Sequence, residues 1–340
     1  MHLQVEFAEY MEIAQKYYSI DFFKFICAFL IVFMHTYCRD FGKTGTWIID
    51  VISNIGVPFF FIASGFFYTK GIIRNKTNEK TYFLKYFTRV SQMYIAWSVI
   101  TLPIAFLIIE RAHGDYHTYL KLLYLFRLFF FTGSIGIYWY VLALVYNSAI
   151  IYYAHKKQSV SILFFFAILF WLIGVIYNSP YNNGNLFFES IHVIFGSERN
   201  FLHVGLFYMC IGYFFAKYES KFQMNLYGLI IGFMGSIVLR SLEVEFLHTN
   251  SLQALEAILL FLIAININQE TFKLKGCSTQ MRQLSTAIYL EHFPFILLYD
   301  FYLRRGTAID FSMAILFSIA CYYTLKRFLP KRAFGILYGG

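Results

Sequence analysis

Charge is scarce in this chain. Only 14% of its 340 residues are Asp, Glu, Lys or Arg, against roughly a quarter in a soluble globule, while 59% are hydrophobic and 22% aromatic. That shortage excludes a soluble domain. Cysteine is sparse and unpatterned: Cys27, Cys210 and Cys321 fall within apolar stretches, Cys277 in a polar loop and Cys38 just beyond the first stretch, with no metal or disulfide spacing. They read as small apolar packers. His113 and His117 have an i, i+4 spacing that can chelate a metal, but a third ligand is missing nearby, and no metal site is expected. There is no internal repeat, nor a pair of Gly/Pro-broken stretches in corresponding halves such as inverted-repeat transporters carry. A cleavable signal peptide is not expected either, because Glu6, Glu9 and Glu12 stand where its basic segment would be. Residues 1–16 read equally as a short surface helix or as disorder.

What the chain does have is apolar length. Ten stretches are long enough, or nearly so, to cross a hydrocarbon layer of about 30 Å as helices. They cover residues 20–37, 47–68, 86–109, 136–153, 160–177, 201–215, 224–242, 252–267, 284–303 and 311–325. The expected fold is all-α: a polytopic bundle of about ten transmembrane helices forming one membrane domain over residues 19–328. Short segments, 1–18 and 329–340, flank it on the cytoplasmic side.

Lys and Arg accumulate in cytoplasmic loops, so their distribution sets the orientation. With the N-terminus inside, the inner segments hold 18 of them, six between Lys70 and Arg89 alone, against nine outside, with Lys24 left within a stretch. Both termini are therefore expected in the cytoplasm, and the protein in the cytoplasmic (inner) membrane of a cell with an envelope. The net charge of +9 follows from this bias, without any need for nucleic-acid binding. The basic 70–89 loop reads as a topology signal or as the holder of an anionic cytosolic ligand. Of the two longer outer segments, 110–135 contains YLKLLYLFRLFFF and reads as an interfacial or re-entrant helix, and 178–200 reads as an open loop. Most of the 42 Phe and 28 Tyr are expected to face lipid or the interfacial belts.

Within the apolar stretches the ionisable residues are few. Lys24 and His35 stand eleven residues apart in SIDFFKFICAFLIVFMHTY, which on a helix puts them on nearly one face, roughly 16 Å apart along the axis. Each costs about 2.5–3.5 kcal/mol at mid-membrane on insertion scales, so the stripe needs partners or a wet cavity. Asp21, three residues before Lys24, is its expected partner. Ser64 and Gly65 are small enough for close helix approach. Glu256 sits in the eighth stretch; Glu291, His292 and Asp300 lie in the ninth. An imidazole, with a reference pKa of about 6.5, suits a general base toward a hydroxyl, and an ammonium suits a phosphate. A donor with a phosphate-bearing head and a thin arm, such as acyl-coenzyme A, fits that spacing. The bland reading is that Lys24 snorkels to the inner headgroups and His35 hydrogen-bonds a neighbouring helix.

The first stretch resembles the opening helix of the acyltransferase family 3 integral membrane proteins, in which an Asp precedes an Arg-x10-His motif. GVPFFFIASGFF resembles the family's second-helix block, FLKYFTRVSQMYIAW its basic third-helix entry, and LSTAIYLEHFPFILL its late Tyr-x-x-His-Pro block. IYWYVLALV and RNFLHVGLFYMCIGYFF are similar more weakly. There are departures. Lys24 replaces the usual Arg and loses its planar fork; Gln92 and Met93 stand where a Pro precedes Tyr94; and Phe293 separates His292 from Pro294. An extracytoplasmic SGNH-type domain is not expected after the last helix.

The resemblance implies O-acyl transfer, expected to be O-acetyl, from cytosolic acetyl-coenzyme A as co-substrate to a hydroxyl of an extracytoplasmic or membrane-linked glycan of the cell envelope. It implies His35 as general base or transient acyl carrier, and Lys24, Lys85 and Arg89 as holders of the donor phosphates, with Asp21 orienting Lys24. Ser64, Tyr94, Trp139, Tyr140, Arg199, Glu291 and His292 line the cavity or bind donor or acceptor. Polysaccharide, lipid-linked sugar and peptidoglycan stay open as acceptors. The alternative is a transporter or exporter of a small solute, such as an amino acid, on the same membrane fold.

Overall fold

The computed structural model describes residues 17–36, 42–177, 186–195, 197, 199–302 and 308–339, and among these every regular element is helical. Cys38, the expected helix or disorder at 1–16 and the side chains of His113 and Asp300 lie outside the described residues. In chain order the principal helices are α1 (Tyr18–His35), α2 (Gly42–Trp47), α3 (Gly56–Arg74), α4 (Glu79–Ile100), α5 (Leu102–His113), α6 (Thr118–Arg127), α7 (Trp139–Lys156) and α8 (Val160–Tyr177). They continue as α9 (Leu186–Phe195), α10 (Leu206–Lys217), α11 (Leu226–Leu242), α12 (Gln253–Asn266), α13 (Ser278–Tyr302), α14 (Ala308–Phe328) and α15 (Lys331–Tyr338).

All ten apolar stretches contain helix. By length and apolarity, five described helical segments can each cross a membrane: Tyr18–His35, Gly42–Arg74, Gly136–Lys156, Val160–Tyr177 and Ile309–Phe328. A sixth is the pair Glu79–Ile100 and Leu102–Ala112, bent by 58°, and Phe201–Lys217 and Gln253–Asn266 are apolar but shorter. The count is lower than ten because α13 carries polar groups through its length and the 201–217, 226–242 and 253–266 helices are short. On α8, Ile162, Phe165, Phe166 and Leu169 are exposed, as are Ile231, Met234 and Val238 on α11. Such an apolar outer surface has no place in water and matches a lipid-facing belt.

The core is an aromatic cluster around α1, which packs against α3, α12, α13 and α14. The α3–α10 contact is the tightest, and small residues explain it. A Cβ added at Gly65 would stand 2.3 Å from the Met209 carbonyl oxygen, and one at Gly212 2.2 Å from that of Ile62. The two backbones therefore touch across a glycine on each side.

Prolines direct the chain where polar groups are needed. Pro58 has no N–H for the Asn54 carbonyl one turn earlier, and the Gln253 side-chain amide takes that carbonyl instead. Pro294 in α13 likewise leaves the Leu290 carbonyl open, and the Tyr138 hydroxyl donates to it at 3.1 Å. Pro103 follows the bend between α4 and α5, where the Thr101 hydroxyl donates to the Trp97 carbonyl at 2.7 Å. The first two exchanges tie α12 to the turn before α3 and the turn before α7 to α13.

The 110–135 segment folds as the end of α5, then α6, then a π-helical turn at Leu128–Thr132. Tyr119, Leu122, Leu123 and Phe126 on it are exposed, and Lys121 pairs with Glu110 at 2.7 Å, as expected of an interfacial element. The expected open loop at 178–200 is corrected in its middle: residues 186–195 are helical as α9. The Asn- and Gly-rich flank of that segment obscured the apolar run LFFESIHVIF. Arg127 ties the two elements by donating to the Val193 carbonyl at 3.0 Å.

Candidate active site

Two cavities lie along α1, one at each end. The larger, about 580 Å³, contains His35 with Arg199, Trp139, Trp171, Asn54 and Gln253 in its wall. The smaller, about 120 Å³, contains Lys24 with Arg89, Ser64, Tyr86, Tyr140 and Tyr338. The helical rise between Lys24 and His35 thus carries one residue to each cavity.

In the Lys24 cavity, the ammonium sits 5.4 Å from the Phe60 ring centroid and the Arg89 guanidinium 5.4 Å from that of Tyr86. Aromatic faces therefore flank both cations in the wall of this cavity. The Ser64 and Tyr140 hydroxyls lie 2.8 Å apart. Lys85, four residues before Arg89, is exposed and lies outside this wall. Asp21 is completely buried and its nearest partners are not Lys24: it accepts from the Ser278 hydroxyl at 2.6 Å and pairs with Arg282 at 3.5 Å. The Lys24 charge acts on the same carboxylate. In the sequence Arg282 is a loop charge, and no local pattern connects it to Asp21 far upstream.

In the His35 cavity, a second imidazole stands behind the first. The His35 and His292 rings are 5.4 Å apart between centroids and tilted by 34°, with Phe293 edge-on to His35 at 5.0 Å. His292 is fully buried and its Nδ1 donates to the Ile288 carbonyl at 2.8 Å. A carbonyl only accepts, so Nδ1 carries the proton and Nε2 is the bare lone pair. Nε2 has no hydrogen-bond partner among the described residues. Arg199 is delivered by the turn before α10, where the Asn200 side chain accepts from the amides of Leu202 and His203, each at 2.9 Å.

The far wall of this cavity is braced from outside. Arg240, completely buried on α11, donates to Glu243 at 2.7 Å, to the Thr249 carbonyl at 2.8 Å and to the Asp50 carbonyl at 3.0 Å, and also binds the Asn250 side chain. Asn250 and Gln253 then face the cavity. Two expected residues stand apart. The Tyr94 hydroxyl donates to the Phe129 carbonyl, and Glu291 is bonded to the Tyr338 hydroxyl; neither lines a cavity. The structure therefore brings together Lys24, Arg89, Ser64 and Tyr140 on one side, and His35, Trp139 and Arg199 on the other, with His292 behind His35.

Residues 17–327 match the acyltransferase domain family, nearly the whole chain, and the protein belongs to acyltransferase family 3. It is also similar to two amino-acid racemases of Enterococcus faecalis. One is 25% identical over 245 residues, which is 68% of this chain and 33% of the racemase; the other is 22% identical over 293 residues, 81% of this chain and 40% of the racemase. The chain thus spans well under half the length of these curated relatives. No solved structure matches it.

Proposed function

We propose that the protein is a membrane O-acyltransferase that takes an acetyl group from cytosolic acetyl-coenzyme A and delivers it to a hydroxyl of a glycan at the far side of the membrane. The observation that carries this reading is the pair of cavities at the two ends of α1, cationic around Lys24 and imidazole-bearing around His35. In this reading the Lys24 end faces the cytoplasm, as the basic residues of the 70–89 segment indicate, and all ten apolar helical stretches lie in the membrane. That segment is not the loop expected but the end of α3, a turn at 75–78 and the start of α4. The position in the cytoplasmic membrane belongs to the same proposal.

The chemistry follows from the residues. Lys24 and Arg89 hold the donor's phosphates, with Asp21, Ser278 and Arg282 fixing the start of α1 beneath them. The acyl-bearing arm extends toward His35. His35 takes the proton of the acceptor hydroxyl, the oxygen attacks the thioester carbonyl carbon, and the carbon–sulfur bond breaks. Coenzyme A leaves as the thiolate and recovers that proton. The wall of Trp139, Trp171 and side-chain amides suits a sugar, which offers C–H faces to rings and hydroxyls to amides.

The test is incubation of purified protein with labelled acetyl-coenzyme A. Binding together with slow hydrolysis is expected, and both hydrolysis and transfer are expected to be lost in His35→Ala. A small-solute exporter, the rival reading on the same membrane fold, binds and hydrolyses no thioester. Envelope glycans from cells with and without the gene, compared by mass spectrometry, are expected to differ by one acetyl increment.

A further inference from the structure

The two cavities share a wall, and among the described residues Tyr289 alone lines both. Its ring is 4% exposed and stands between the aromatic groups of the two sides: Phe60 at 5.9 Å and Tyr140 at 5.1 Å toward Lys24, His292 at 6.3 Å toward His35. Its hydroxyl donates to the Ile137 carbonyl at 2.5 Å, and Ile137 itself belongs to the His35 cavity. The neighbouring Tyr140 is tied more firmly, to Ser64 at 2.8 Å and to the Phe60 carbonyl at 3.4 Å. Tyr289 is therefore the side chain of the septum that both cavities share, and one neutral hydrogen bond, a contact of small net worth, fixes its hydroxyl.

We propose that Tyr289 is the gate between the two cavities. With its hydroxyl on Ile137 the ring closes the passage; swung aside, it joins the cavities into one path along α1. Resting on the acyltransferase reading, this assigns Tyr289 a specificity role, because the gap its ring leaves sets the length of acyl chain that reaches His35. Closure between turnovers keeps water in the His35 cavity away from the thioester, and keeps the membrane sealed. The ring acts through position and bulk and takes no part in bond making.

The test has one arm that needs no donor. Val141, in the wall of the Lys24 cavity and 2% exposed, is changed to cysteine in a protein whose Cys38 and Cys277 are serine. A membrane-impermeant trimethylammonium methanethiosulfonate is then applied to the outside of intact cells. Labelling of Val141→Cys is expected to rise about 10-fold or more when Tyr289→Ala is added, and to a lesser extent with Tyr289→Phe, which keeps the ring and loses the latch. Equal labelling with and without these changes, in protein that remains monodisperse, overturns the gate.

In the second arm, Tyr289→Phe is expected to raise acceptor-independent hydrolysis of acetyl-coenzyme A by about 3- to 10-fold, the worth of one neutral hydrogen bond. Tyr289→Ala is expected to raise the hexanoyl-to-acetyl rate ratio by about 10-fold with coenzyme A affinity within about 2-fold of wild type. An unchanged ratio overturns the specificity role. If wild-type protein neither binds nor hydrolyses acetyl-coenzyme A, the acyltransferase reading fails, and the labelling arm decides the gate by itself.

Discussion

His35 and His292 face one another with ring centroids 5.4 Å apart, and the second ring is locked in one tautomer by the Ile288 carbonyl. That lock leaves the His292 Nε2 lone pair beside the proposed base, where it can accept an N–H from His35 directly or through one bridging hydroxyl. Within the acyltransferase proposal, such a bond would let His292 select which His35 nitrogen takes the proton.

The expected consequence is a kcat effect. His292→Phe fills the space and removes the acceptor, and acetyl transfer is expected to fall by about 100-fold in kcat, with KM for acetyl-coenzyme A nearly unchanged. His292→Gln, which keeps an acceptor near the Nε2 position, is expected to recover part of the loss. Steady-state rates of the two variants check this; equal loss in both points to packing alone.

The two ends of α1 are expected to separate by measurement. Lys24→Glu places a carboxylate where a phosphate is proposed to bind and is expected to weaken coenzyme A binding by about 10-fold or more, while Lys24→Arg restores a cation with a planar fork and is expected to bind at least as tightly as wild type. His35→Ala is expected to abolish transfer and leave coenzyme A binding intact. Isothermal titration with coenzyme A beside a transfer assay reads both. Equal loss of binding in Lys24→Glu and His35→Ala would instead mark a structural pair.

The α3–α10 crossing gives a stability prediction. A methyl group at Gly65 or Gly212 meets backbone oxygen at 2.3 or 2.2 Å, contacts that no side-chain rotation relieves. Gly65→Ala and Gly212→Ala are each expected to destabilise the protein by about 1–3 kcal/mol, the usual cost of overpacking. Thermal unfolding in detergent, followed by size-exclusion fluorescence, measures it.

Much of this was legible along single helices and little of it between them. Lys24 and His35 declare themselves because ionisable groups are rare in apolar stretches and the helical repeat relates them; Ser64–Gly65 do so because two small residues interrupt PFFFIA and FF. Every apolar stretch could be recognised as helix, whereas α9 hid behind Asn- and Gly-rich neighbours. Asp21 found Ser278 and Arg282 rather than Lys24 as its nearest partners, and Tyr289 came to stand between the cavities, through packing of α1 on α13. Nothing local encodes such contacts. Glu291, next to His292 in sequence, turns away to Tyr338 because neighbouring positions on a helix point about 100° apart.

The brace behind the His35 cavity gives the final prediction, with a pH dependence. Glu243 lies in the turn beyond the end of α11. Burial pushes its carboxyl up, but hydrogen bonds from Ser251, Thr249, Arg240 and the Leu252 amide outweigh that and hold it below its ordinary value of 4.5. A carboxyl lowered by folding stabilises the protein fully above its unfolded pKa, and that contribution is lost as pH falls through the lower folded value. The melting temperature is therefore expected to fall as pH is taken below 4.5, and Glu243→Gln is expected to flatten that part of the curve. Arg240→Met goes further, since it strands Glu243 and Glu256, which are 3% and 0% exposed, without their cation. Breaking a buried pair on one side costs about 3–5 kcal/mol. Asn250 also loses its anchor, so this variant is expected to raise KM for the acceptor while leaving coenzyme A binding at the Lys24 cavity unchanged.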